Sequence, residues 1–176
     1  MAKNANLKFI AILGGIVGLI AILIGLFPSD ASWWTIRTQN LDLAYYLNPF
    51  GFFTNQDNQT SPSIDSLILL SGLIFLAGSV LIIYGGYKES KGIALLSGIL
   101  MIIALVLFCI VLNTKTNWGD VDSNLSFLDD QTNLLFGSIS IVVFIILETV
   151  NWSLGIGFYV AAVGAGIGII GAVVMK

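Results

Sequence analysis

The chain has 176 residues, with seven basic and ten acidic side chains, a formal net charge of −3, no histidine, one cysteine, and 57% hydrophobic against 10% charged residues. A soluble domain carries roughly 25% charged and 45–50% apolar residues, so this balance, with a mean hydropathy of +0.96, excludes an ordinary water-soluble globule and points to a compact polytopic membrane protein. The missing histidines remove the commonest general base, metal ligand and haem ligand, and the lone Cys109 rules out an intrachain disulfide.

Crossing a hydrocarbon core of roughly 30 Å takes about 20 helical residues. Four uncharged apolar runs are long enough: 9–27, 66–84, 92–112 and 154–174. They lack the alternation of barrel strands, so the expected fold class is membrane all-α. It is a four-helix transmembrane bundle with a small extracellular β-containing loop domain, in one four-span domain covering 1–176, with outer loops at 28–65 and 113–153.

The first run follows lysines as a secretory signal would, but a signal core spans about 7–15 residues and this run is longer, so it is read as a mature helix. Along it Ala11, Gly14, Gly18, Ala21 and Gly25 recur at alternating intervals of three and four, a stripe of small side chains suited to close helix packing.

The first outer loop is unusually aromatic for a segment facing water: Trp33, Trp34, Tyr45, Tyr46, Phe50, Phe52 and Phe53 crowd into it. Such a patch wants burial. It either packs into a small ectodomain core or offers a contact surface to another protein. The following stretch, 54–62, is polar and reads as a flexible tip.

The middle spans carry fewer small positions, Ser71, Gly72, Gly78 and Ser79 in one and Ser97, Gly98 and Ala104 in the other, joined by a short turn at 85–91. The second outer loop is acidic, with Asp120, Asp122, Asp129 and Asp130. The spacing and closing glutamate of an EF-hand are missing, so these carboxylates read as a solvated surface rather than a metal site. A negative outer face also argues against nucleic acid as a partner.

The uncharged segment 134–147 needs a separate reading. As a helix its 14 residues would cover about 21 Å, short of the core, and a fifth crossing would carry Lys176 to the outer side. Its β-branched residues and serine–isoleucine alternation favour an extracellular strand. A helical extension of the fourth span and a re-entrant segment are the alternatives. In the last span Gly157, Ala161, Gly164, Gly168 and Gly171 form a second small-residue stripe that should face a partner helix, inside one subunit or between subunits, while Ile169 is assigned to lipid.

Charge orients the spans. Lys3, Lys8, Lys88, Lys91 and Lys176 share one side with a single acid, Glu89. Arg37 and Lys115 share the other with nine acids: Asp30, Asp42, Asp57, Asp65, Asp120, Asp122, Asp129, Asp130 and Glu148. By the positive-inside rule both termini are cytoplasmic and the cell membrane is crossed from within. Three sequons, at Asn58, Asn124 and Asn151, fall on the outer side and are candidate glycosylation sites. Trp33, Trp34 and Trp152 would mark the outer interface, Tyr84 and Tyr87 the inner one.

No charged residue lies within the spans, and no phosphate loop, nucleophile elbow or zinc-type cluster occurs. Catalysis, cofactor and metal are therefore not expected, and a pore would require oligomerisation.

Four spans, cytoplasmic termini, a small inner turn, a tryptophan-bearing first outer loop and a strand before the last helix together resemble the claudin and peripheral myelin protein type of tetraspan. Trp33 and Trp34 occupy the region where that superfamily carries loop tryptophans, although the claudin loop cysteine pair is absent, as is the Cys-Cys-Gly motif of tetraspanins. The resemblance implies an outer sheet of first-loop strands joined by a second-loop strand near 139–146, and work in lateral assembly or adhesion. The expected function is a non-enzymatic membrane scaffold, embedded in lipid, whose outer loops bind copies of itself or another membrane or envelope protein. An accessory subunit of a larger transport or respiratory complex and an oligomeric channel are the rival expectations.

Overall fold

A computed structural model describes residues 2–39, 43–55, 59–60, 65–115, 118–120, 123–143 and 146–175. In chain order the elements are α1 (Ala2–Gly25), β1 (Trp34–Thr38), β2 (Ala44–Leu47), β3 (Phe53–Asn55), α2 (Ser66–Tyr87), α3 (Lys91–Thr114), two 3₁₀ turns (Trp118–Asp120 and Ser123–Leu128), β4 (Phe136–Val143), β5 (Ile146–Leu154) and α4 (Ile156–Val174). All four α-helices are long and apolar enough to cross a membrane.

Helix ends follow local chemistry. Asp65 caps α2, its extended backbone letting the carboxylate accept from the N–H groups of Leu67 and Ile68. The turn into α3 passes through Glu89 at φ 56°, and Glu89 pairs with Lys8 of α1 at 2.7 Å. Within the helices, buried serines satisfy themselves on the preceding turn: Ser71 on Ile68 O, Ser79 on Phe75 O and Ser97 on Ile93 O. That is what a hydroxyl must do where no water reaches.

The helices form an up-and-down ring, α1 against α2 and α4, and α3 against α2 and α4. Leucine, isoleucine and valine cover the outward faces, with Leu96, Val163 and Ile170 among the most exposed. Ile169 does not belong to that lipid-facing set: a β-carbon on Gly98 of α3 would come 2.5 Å from Ile169 Cγ1. Position 170, one residue further round the helix, faces outward instead.

Both long loops lie at the same end of the bundle and merge into one antiparallel sheet of order β3-β2-β1-β5-β4. The two loops join where β1 meets β5, with Trp34 opposite Leu154 and Ile36 opposite Trp152. The second loop therefore supplies a hairpin, not one strand. The strand that joins the first loop is Ile146–Leu154, while Phe136–Val143 pairs with β5 alone and forms the edge. Glu148 and Asn151 break the hydrophobic run there, but Glu148, Val150, Trp152 and Leu154 alternate as buried positions along the strand. Hence α4 starts at Ile156, not at 154.

Candidate functional site

The sheet and its seat on the bundle concentrate the residues that the sequence singles out. Adjacent tryptophans diverge at the seat. Trp33 turns into the bundle, where its ring meets Phe75 of α2 at 5.3 Å, Phe108 of α3 at 5.2 Å and Phe158 of α4 at 5.9 Å, all edge-on. Its Nε1 donates to Ala21 O of α1 at 3.4 Å. One side chain thus touches all four helices, and it is fully buried. Edge-to-face geometry adds about 0.5–1.5 kcal/mol per aromatic pair beyond the area buried.

Trp34, also fully buried, turns the opposite way, under the sheet. Its ring lies 5.2 Å from Trp118 and 6.4 Å from Phe53, and its Nε1 donates to Leu134 O at 2.7 Å. Tyr45 stacks on Phe53 at 5.5 Å. Leu125, Leu128 and Leu134 from the second loop complete this core. At the other end of the same face Trp152 donates to Asn133 O at 3.0 Å, and its indole crosses the place a β-carbon on Gly137 would occupy.

This burial corrects the reading of the first-loop aromatics as a contact surface. Trp33 is interior because the four helices close around it, and Trp34, Tyr45 and Phe53 are interior because the second loop folds beneath the sheet and covers them. Only Tyr46, Phe50 and Phe52 remain partly exposed. Trp118, which nothing in the sequence pattern marks, belongs to the same core. Its isolated position in an acidic loop gave no periodic signal.

The β2–β3 turn presses the sheet onto α2. Gly51 N donates to Asn48 O, Asn48 Oδ1 accepts from the Phe50 and Phe52 N–H groups, and Gly51 takes φ +83°. Carbonyl O of Pro49 lies 2.3 Å from where a β-carbon on Gly72 would stand. On the other side, the first orphan N–H groups of α4 are met by the first loop: Gly155 N donates to Trp33 O and Ile156 N to Asp30 O.

Between sheet and α2 lies a small cavity of about 10 Å³, lined by Leu47, Phe53, Asp65, Ile68, Lys115 and Trp118 among others. Lys115 reaches Asp65 at 3.4 Å with both side chains mostly buried, and its Nζ stands 5.5 Å over the Trp118 ring. The Trp118 Nε1 has no hydrogen-bond partner among the described residues. The space matches one water molecule.

The small-residue stripes divide their work. Gly14, Gly164, Gly168 and Gly171 lie at the α1–α4 contact, Gly171 facing Ala11 and Gly164 facing Gly14 and Gly18, while Gly18 also opens onto Ser79 and Met101. Gly25 and Gly157 instead flank the Trp33 indole, where β-carbons would come within 2.8 Å and 3.1 Å of its Cδ1.

Of the sequons, Asn151 is exposed on the outer face of β5. Asn124 lies in the second 3₁₀ turn, and Asn58 lies outside the described residues. The outer face also carries Arg37, paired with Asp30, and the exposed Ser138 and Ser140 of β4. Asp129 Oδ1 accepts the Trp118 N–H, and no cluster of three or more metal-ligating side chains occurs among the described residues.

No family model, curated protein or solved structure matches the chain.

Proposed function

We propose that the chain is a non-enzymatic integral membrane scaffold of the claudin and peripheral myelin protein type, whose sheet lies outside the cell and mediates assembly with copies of itself. The observation that carries this reading is the fusion of both long loops into one sheet, β1 to β5, seated on the bundle by Trp33. A sheet so anchored is a rigid platform. Rigid platforms lose little entropy on association.

Charge supports the orientation. Two basic residues accompany nine acids in the loops of the sheet end, against five lysines and one acid in the termini and the α2–α3 turn; the positive-inside rule then places termini and turn in the cytoplasm. The Trp33 plug supports a scaffold over a channel, because its indole occupies the centre of the four helices at the sheet end.

Extraction in mild detergent followed by native mass measurement tests the assembly. The expected result is a discrete homo-oligomer; a strictly monomeric species in every detergent and in lipid nanodiscs overturns it. Single-cysteine labelling of intact cells, in a Cys109→Ser background, tests the orientation. Asn151→Cys should react with an impermeant maleimide and Lys88→Cys should not; the reverse pattern overturns the topology.

A further inference from the structure

We infer that the groove between the end of α1 and the β2–β3 arm holds a membrane lipid with an uncharged, hydroxyl-rich headgroup, of which a monohexosyl lipid is the simplest case. The inference rests on α1 crossing the membrane and not on the assembly proposed above, so either can fail alone.

The groove has a volume of about 390 Å³ and is lined by Leu26, Pro28, Asn48, Phe52, Thr54 and Thr60. Small-molecule sites run from roughly 300 to 1,000 Å³. One wall follows directly on α1, whose apolar run of spanning length ends at Gly25. Leu26 and Phe27 are both exposed on that turn, Phe27 at 68%. An exposed aromatic just beyond a spanning run stands where acyl chains give way to headgroups. Below it Ile16, Ile20 and Leu23 are exposed at helical spacing, a stripe that ends at Phe27, next to Leu26 of the groove wall. A ligand with a polar head and an apolar tail fits both surfaces at once.

The other wall supplies uncharged hydrogen-bonding groups. Asn48 Oδ1 accepts from the Phe50 N–H at 2.9 Å and from the Phe52 N–H at 3.0 Å. Those two bonds fix which end of the amide is nitrogen, and among the described residues nothing accepts from its two Nδ2 hydrogens. Thr54 bridges Thr60, and their hydroxyls stand 3.4 Å apart. That is long for an O–H···O bond, so each keeps capacity for another partner. The partly exposed Phe52 adds an apolar ring to the same wall.

Charge and hydrogen-bond count select the headgroup. No acid or base lines the groove, and it lies at the C-terminal end of α1, where the helix dipole is negative. A phosphate placed there has no cation to meet. A quaternary ammonium suits the dipole but forms no hydrogen bonds, leaving the amide and both hydroxyls unpaired. A sterol brings one hydroxyl to three polar side chains. A sugar ring both donates and accepts at several positions, which is what an amide and two hydroxyls ask of a ligand.

The source of that sugar follows from the shape. The groove is open along one side, so contact with its occupant is weak. A lipid is held beside it at high effective concentration, whereas a free sugar is not.

Nanodiscs of phosphatidylcholine containing a minor fraction of a monohexosyl lipid with the same acyl chains test the inference, with bound lipid read by native mass measurement. The hexosyl lipid should be retained at least about threefold above its share of the bilayer. Asn48→Asp keeps the oxygen that holds the turn and removes both Nδ2 donors; Thr60→Val removes one hydroxyl at an exposed position. Each should return the retention to near the bilayer share, since a hydrogen bond is worth about two- to tenfold, with the melting temperature within about 3 °C of the parent. All proteins are made without N-glycosylation, so loss of the Asn58 sequon in Thr60→Val has no bearing. Tyr87→Leu, exposed at the opposite end of α2, should leave retention unchanged.

Retention of the hexosyl lipid at its bilayer share in the parent overturns the inference, as does enrichment that survives both Asn48→Asp and Thr60→Val. Stronger retention of a phosphate-headed lipid or a sterol overturns the headgroup assignment. Displacement of the lipid by excess soluble methyl hexoside overturns the lipid source in favour of a water-borne glycan. A strict monomer that carries the hexosyl lipid removes the assembly and leaves this site standing.

Discussion

Gly14 of α1 and Gly168 of α4 stand so close that a β-carbon on Gly14 would lie 2.4 Å from the Gly168 Cα. Backbones meet there with no side chain between them. In lipid, where apolar burial gives helices little reason to associate, such close approach is a main source of cohesion. Gly14→Leu and Gly168→Leu should each destabilise the fold by about 3 kcal/mol or more, since overpacking of this kind costs about 1–3 kcal/mol even for smaller insertions. Ile170→Leu, on the exposed face of the same helix, should change stability by less than about 0.5 kcal/mol. Thermal unfolding in one detergent compares the three; equal tolerance would show that the stripe does not hold α1 to α4.

Replacing Trp33 should loosen the sheet from the bundle. Trp33→Ala empties a fully buried site and should cost about 3–5 kcal/mol. Trp33→Phe keeps three aromatic neighbours but loses the donor to Ala21 O, and should cost roughly half as much. Hydrogen exchange should show the sheet amides losing protection before the helices do. Uniform loss across both would mean that sheet and bundle open as one unit.

Asp65 combines a helix cap with a charge partner, so its two roles separate by substitution. Asp65→Asn keeps an oxygen for the Leu67 and Ile68 N–H groups but abandons the Lys115 ammonium. It should cost about 0.5–1 kcal/mol, as a partly exposed ion pair does. Asp65→Ala also removes the cap and should cost about 1 kcal/mol more. Chemical denaturation of the two variants and the parent measures both steps; identical losses would assign the whole effect to charge.

Gly137→Val should displace the Trp152 indole, whose Cζ2 lies 2.1 Å from the β-carbon position. A rigid ring between β4 and the Asn133 carbonyl has little room to yield, so a cost of about 2 kcal/mol is expected. Near-ultraviolet circular dichroism should report the altered tryptophan environment. An unchanged spectrum with unchanged stability would show that the ring can move aside.

The polar segment of the second loop shows why part of the candidate site could not be read in advance. Trp118 sits among acids and has no repeating neighbour, yet it packs 5.2 Å from Trp34. Glu148, which falls in the outer loop expected over 113–153, alternates correctly for a strand whose inner face is covered by the second loop itself. Burial of that face depends on residues far away in sequence, and no local pattern encodes it.

Length and polarity of the apolar runs, acting residue by residue against a hydrocarbon layer, determined four helices of spanning length, the placement of lysines and acids in alternate connections, and the two glycine stripes. Those are one-body or single-helix properties. Which stripe meets which helix, why Gly25 and Gly157 hold a tryptophan instead of another helix, why Trp33 enters the bundle while Trp34 goes beneath the sheet, and why β5 rather than β4 joins the two loops were decided only by tertiary structure. Each of these turns on two segments competing for one volume, and the outcome depends on where the other segment already stands.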